Sequence, residues 1–103
     1  MYQLTALYSH PEDPAAFDKH YREVHAVLAG KLPGLQKFTI SWPAPGEDGA
    51  KPSYHLVATL LWDSAEDLQA AFASPEGEAA MADLSNFAGA GVDIVTGPAE
   101  VLI

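Results

Sequence analysis

The sequence predicts an α+β fold with the element order β-α-β-β-α-β, on three observations. Residues 2–9 alternate strand-forming side chains in the manner of a half-buried strand. Residues 14–32 repeat apolar side chains at helical spacing between a marked start and a marked stop. Residues 54–62 form the most apolar run of the chain, too continuous for a strand with one wet face. With right-handed crossovers, this order builds a ferredoxin-like βαββαβ domain, a four-stranded antiparallel sheet with its helices on one face.

Taken in order, Tyr2, Leu4, Ala6 and Tyr8 share one face of the first strand, and Gln3, Thr5, Leu7 and Ser9 the other. His10-Pro11-Glu12-Asp13-Pro14 is turn chemistry that opens a helix. Asp13 suits the N-cap, where its carboxylate accepts free backbone N–H groups, and Pro14 suits the first helical position. At 100° per residue, Phe17, Tyr21, Val24 and Leu28 fall within one narrow arc, the expected inner face, while Arg22 and Ala29 point away. His25 lands about 60° from the middle of that arc, at the edge of the buried face, and His20 about 60° to the other side. Pro33-Gly34 stops the helix.

Leu35 to Trp42 reads as the second strand, with Phe38, Ile40 and Trp42 on one side. Residues 43–52 hold three prolines and two glycines and are expected to form an exposed connection. In the third strand Tyr54, Leu56, Ala58, Leu60 and Trp62 face one way. His55, Val57, Thr59 and Leu61 face the other, so the strand is expected to be central, with His55 toward a subunit interface. Ser64 and Asp67 make a capping-box-like start for the second helix, whose inner face is Leu68, Ala71 and Phe72. Ser74-Pro75 restarts it, with Ala80, Met81, Leu84 and Phe87 as apolar positions, and Gly89-Ala90-Gly91 ends it. A last strand runs from Val92 to about Val101, with a break near Gly97-Pro98.

The 103 residues suffice for one domain with a modest core. Fourteen acidic against five basic side chains leave a net charge of −9, which repels a phosphate backbone and an anionic membrane surface alike. No nucleic-acid or membrane partner is expected. The chain has no cysteine, so disulfides, thiolate nucleophiles and cysteine metal sites are excluded. With no basic leader before an apolar run, a cytoplasmic location is expected. Helices on one face leave Leu7, Val57 and Leu61 bare on the other, an apolar patch of the kind monomers seldom expose. A second copy packing its sheet against the first is the simplest cover, so a homodimer is expected.

His25 is the leading chemical candidate. Burial lowers an imidazole's pKa and keeps it neutral near pH 7, able to accept a proton. Tyr8 and Tyr21 are its candidate neighbours, and a His–Tyr set in an aromatic cleft can move a proton on a phenolic or lactone substrate. The alternative is a core-edge histidine bonded to a backbone carbonyl. His10 is a candidate for the mouth of the same cleft. Phe17, Trp42, Trp62 and Phe72 are candidates to line it, against the alternative of core packing. His20 and His25 lie about 140° apart around a regular helix and so are not expected to chelate one metal. Asp18 and Arg22 have the spacing of an i,i+4 pair. Neither a metal site nor a resident cofactor is expected, since phosphate loop, dinucleotide fingerprint and nucleophile elbow are all missing.

Leu7-Tyr8-Ser9-His10-Pro11-Glu12-Asp13-Pro14-Ala15-Ala16-Phe17, then Tyr21-Arg22-Glu23-Val24-His25-Ala26-Val27-Leu28-Ala29 and Lys31-Leu32-Pro33-Gly34-Leu35, resemble the opening third of the EthD family. That family takes its name from ethyl tert-butyl ether degradation. The resemblance implies a dimeric α+β barrel of two back-to-back ferredoxin-like sheets and an association with a monooxygenase system. Family members commonly carry proline two positions after the helix histidine. Here Val27 stands there, which predicts a straighter helix past His25. The expected function is binding of a small apolar or aromatic compound in a cleft near His25, in support of an oxidative or biosynthetic step without a cofactor of its own. A cofactor-free isomerase or cyclase with His25 as general base, and a non-catalytic dimer that sequesters a ligand or docks onto an oxygenase, are the alternatives. Haem binding, with His25 as axial ligand, stands behind all three.

Overall fold

The structure, a computed structural model, describes residues 1–103. Strands β1 (Tyr2–Tyr8), β2 (Lys37–Ser41), β3 (Leu56–Trp62) and β4 (Val92–Pro98) form one sheet in the order β2-β3-β1-β4. All three pairings are antiparallel. The helices are α1 (Pro14–His20), a π-helical turn (Tyr21–His25), α2 (Ala26–Gly30), α3 (Ala65–Ala73) and α4 (Pro75–Phe87). This is the ferredoxin-like arrangement. No helix is long and apolar enough to cross a membrane.

Alternation decides which strand residues enter the core. Leu4, Ala6 and Tyr8 of β1 are buried beside Leu56, Ala58, Leu60 and Trp62 of β3, and Tyr8 pairs directly with Leu56. The opposite face carries Leu7 opposite Val57, Gln3 opposite Leu61, and Thr5 between Thr59 and Val95. The helices leave that face uncovered. Strands β2, β3 and β4 are each shorter than their apolar runs suggest. The second begins at Lys37, although the Gln36 N–H already donates to Leu61 O of β3 (2.8 Å). The fourth stops at Pro98, opposite Tyr2, where its partner β1 begins.

The helix starts follow from local chemistry. Asp13 Oδ1 accepts from Ala16 N (3.1 Å) with Pro14 at the first position. Ser64 Oγ accepts from Asp67 N (3.1 Å), and Ser74 Oγ from Gly77 N (3.1 Å). Gly34 turns the chain toward β2 at φ 73°, a conformation that favours glycine, with Trp62 Cδ1 3.5 Å from where a Cβ would lie.

The first helix departs from the regular spiral that its spacing predicts. Its middle turn is π-helical, with Ala26 N bonded to Tyr21 O five residues back. The wider turn sets back the angular drift that accumulates at 100° per residue. Phe17, Tyr21, His25, Ala29 and Leu32 are therefore the buried residues, while Val24 is 39% exposed. Ala29, expected outside, is inside, and the expected Val24–Leu28 half of the inner face is not. The absence of proline after His25 does not give a straight helix, since the irregularity lies in the turn that contains His25.

Candidate functional site

Beneath the sheet, between its strands and the helices, lies a narrow cleft of about 40 Å3 that is open to solvent. Fifteen residues line it and fourteen are hydrophobic, among them Leu4, Tyr8, Tyr21, Phe38, Leu60 and Phe72; the exception is His25. Met81 and Ile94, 46% and 40% exposed, mark the mouth between α4 and the edge strand β4. Of the residues singled out from sequence, His25, Tyr8, Tyr21 and Phe72 meet on this cleft.

His25 is only 6% exposed, more enclosed than the edge position a regular helix implies. Its Nδ1 donates to Asp83 Oδ2 at 3.0 Å. A carboxylate can only accept, so Nδ1 carries the proton and Nε2 keeps its lone pair. No enclosed side-chain nitrogen or oxygen lacks a partner, and Nε2 makes no bond within the chain, so it opens on accessible space. Burial pulls the His25 pKa below its ordinary value, against the opposing pull of Asp83. The ring is thus neutral at pH 7, with a free acceptor nitrogen on an apolar cleft. Its ring centroid is 5.3 Å from that of Tyr21 and 4.7 Å from that of Phe87.

Asp83, on α4, is the residue that sequence reasoning missed. It is 5% exposed and accepts from His25, from His20 Nε2 (2.9 Å to Oδ1 and 3.0 Å to Oδ2) and from Asn86 Nδ2 (3.0 Å). Burial acts to raise its pKa, but the bonds from Asn86, His20 and His25 outweigh that and hold the carboxyl below its usual value. His20 and His25 are thus brought together, on a carboxylate rather than on a metal, which the regular-helix geometry did not foresee. The clue was available: Asp83 sits three residues after buried Ala80 and four before Phe87, on the inner face of α4.

The two phenols form the cleft floor. Tyr8 and Tyr21 pack edge to face at 5.6 Å, and burial raises the Tyr8 pKa to about 12. Burial likewise raises Tyr21, reinforced by the nearby Tyr8. Both are therefore protonated donors at neutral pH.

The other candidates lie elsewhere. Trp62 is fully buried, tilted against Phe72, and donates Nε1 to Pro33 O (3.0 Å). Trp42 donates to Asp18 Oδ1 (3.3 Å) and lies under the Arg22 guanidinium at 4.5 Å. Asp18 bonds His55 Nε2 (2.8 Å) and Trp42 rather than pairing with Arg22. His55, which precedes β3, therefore faces the first helix. His10 Nε2 bonds Pro52 O (2.7 Å), tying the first turn to the long 43–52 connection and away from the cleft. Phe17 is buried in an aromatic cluster with Tyr8, Tyr21 and Phe87, one layer behind the lining.

With this geometry in hand, the chain can be set beside known proteins. The EthD domain model matches residues 9–91. The chain belongs to the EthD family. An uncharacterized 11.0 kDa protein from the thcB-thcC intergenic region of Rhodococcus erythropolis is 40% identical over 103 residues, 100% of this chain and 99% of that one. The crystal structure of an EthD family protein from Bacillus halodurans superposes with a TM-score of 0.91 at 35% identity, covering 97% of this chain and 99% of that one. Two more distant structures share the fold. SnoaB, a cofactor-independent oxygenase from Streptomyces nogalater, has a TM-score of 0.64 at 19% identity, with 98% and 94% covered. A dimeric ferredoxin-like protein from Thermobifida fusca has 0.69 at 14%, with 93% and 88% covered.

Proposed function

We propose that this EthD protein is a homodimer whose subunits each bind a small uncharged apolar or aromatic compound beside His25, in support of an oxidative degradation or biosynthetic step that needs no resident cofactor. The observation that carries the reading is the single imidazole on an otherwise hydrophobic cleft, its Nδ1 taken by Asp83 and its Nε2 bare. No lysine or arginine reaches the cleft to neutralise a carboxylate or phosphate ligand. A ligand hydroxyl or an acidified C–H finds in Nε2 an acceptor already in the right protonation state, and Tyr8 and Tyr21 lie close by as hydrogen-bond donors. His25 is the general base of this reading, which covers an isomerisation or cyclisation as well as deprotonation ahead of oxidation. The fold shared with a cofactor-independent oxygenase agrees with it.

The test is a thermal-shift screen of neutral phenols, aromatic ethers and lactones against wild type and His25→Ala, followed by turnover of any compound that binds. Binding at a hundred times Kd is expected to add about 2.7 kcal/mol to wild-type stability. In His25→Ala, conversion is expected to fall by about 10²–10⁴ while the compound still raises Tm. A compound that binds and turns over equally well in both proteins would exclude His25 as the base.

A further inference from the structure

His20 Nε2 and His25 Nδ1 each lie 3.0 Å from the same oxygen, Asp83 Oδ2. His25 faces the cleft, whereas His20, with its side chain 28% exposed, faces a separate open groove lined by Pro11, Glu12, Asp13, Asn86 and Phe87. The two imidazoles thus look into different solvent spaces with one carboxylate between them. We propose that His20, Asp83 and His25 form a charge-coupled pair of rings, in which a proton taken up by His25 from a cleft ligand displaces one from His20 into the groove.

The orientation of the donors sets how this works. Both rings direct an N–H at Asp83, so no proton passes through the carboxylate from one to the other. The charge moves instead. The exchange begins from the form in which His20 holds a hydrogen on both nitrogens, Asp83 is ionised and His25 is neutral with its hydrogen on Nδ1. The ligand's X–H bond breaks, its electron pair stays on the ligand, and the proton bonds to His25 Nε2. Two cationic rings on one carboxylate repel each other, so the His20 Nδ1–H bond breaks, its pair stays on nitrogen, and that proton goes to groove water. Asp83 ends paired with one cation, as it began. The repulsion between the rings is already part of what keeps His25 neutral. The titratable groups facing the pair are few. Tyr8 from β1 and Tyr21 from the first helix lie around His25, Asp83 comes from α4, Glu12 and Asp13 flank His20, and α3 adds only Phe72. His20 is a positioning residue here, since it acts on the ligand only through His25.

The half of this inference that concerns the ligand's proton rests on His25 being the base, whereas the coupling is a property of the free protein. It is read from nitrogen and ring-proton NMR shifts of wild type between pH 4 and 9. Coupled rings are expected to titrate in two steps each, at shared pH values. In His20→Gln, whose amide still reaches toward Asp83 without a charge, His25 is expected to titrate in one step at higher pH than in wild type. Single-step, independent curves in wild type would overturn the proposal, as would a His25 ring that never takes a proton above pH 4 or a His25 midpoint unmoved in His20→Gln. Should His20→Gln fail to fold, the wild-type curves decide, with Asp83→Asn as second variant: there the His25 midpoint is expected to fall. Coupling without any ligand binding would leave the inference standing and the functional reading lost, and the reverse is equally readable.

Discussion

His25 and Asp83 are 58 residues apart in the chain and 3.0 Å apart in space. Together with the bonds from His20, this bond ties the first helix to α4, and it selects the His25 tautomer that leaves Nε2 bare. It is the contact on which structure and proposed chemistry meet.

Cutting it should therefore show twice. In Asp83→Ala the buried Nδ1–H of His25 loses its acceptor, which costs about 1–3 kcal/mol, while partly exposed His20 and exposed Asn86 each lose a bond that water can replace. Urea unfolding is expected to show a loss of about 1–3 kcal/mol at pH 7. Asp83→Asn, whose amide oxygen still accepts from one ring, is expected to lose less.

Acid should weaken the fold in a defined window. The His25 pKa is lowered, first by burial, so the folded ring stays neutral while the unfolded one takes a proton. Its contribution is present above the unfolded value of 6.5 and is lost as pH falls toward the lower folded value. Asp83 acts in the same direction further down. Its lowered pKa stabilises above 3.8 and that stability goes as pH falls through the folded value. Tm is expected to drop between pH 7 and 5 in wild type and to drop less in His25→Gln, by scanning calorimetry.

Where α3 turns into α4, Gly77 has no room for a side chain. A Cβ there would meet Ala71 O and come within 2.6 Å of Phe72 Cα, both of them backbone. Gly77→Ala is expected to cost about 3 kcal/mol, and hence to lower Tm by roughly 12–24 °C. Gly30→Ala, with open space around its Cβ, is the control and is expected to be neutral or slightly stabilising.

The uncovered sheet face gives a test of assembly. Val57 pairs with Leu7 there, so a charge at Val57 would sit in the middle of the proposed dimer interface. Val57→Glu is expected to shift the molecular mass by light scattering from dimer to monomer without changing the far-ultraviolet circular dichroism of the sheet.

Elements were legible from the sequence wherever a local rule decides them. Asp13-Pro14, Ser64 and Ser74-Pro75 mark helix starts, because a cap is a contact between residues three apart. The alternation of β1 and β3 marks their inner faces. Tyr8, Tyr21 and His25 were legible as a group for the same reason, one strand end and one helix face. Asp83 was not, because its partners come from a helix some sixty residues earlier and no local pattern sets a buried carboxylate apart from a solvated one. Nor was the inner face beyond Tyr21. A wheel drawn at 100° per residue assumes uniform winding, and a change of hydrogen-bond partner in one turn rotates everything after it. Trp42 and His55 were assigned by aromatic character and strand parity, whereas the carboxylate of Asp18 claims both.

The wide turn at Tyr21–His25 has a consequence for how such a chain tolerates change. Were its hydrogen bonds to return to the i−4 carbonyl with every residue kept, the helix would close up into a uniform spiral and all that follows would turn about its axis. Val24 and Leu28 would rotate inward, and the imidazole would leave the carboxylate of α4 behind. The core would still be greasy and the caps intact, yet the cleft would lose its one proton acceptor. One change of hydrogen-bond partner in that turn thus decides whether the imidazole meets Asp83.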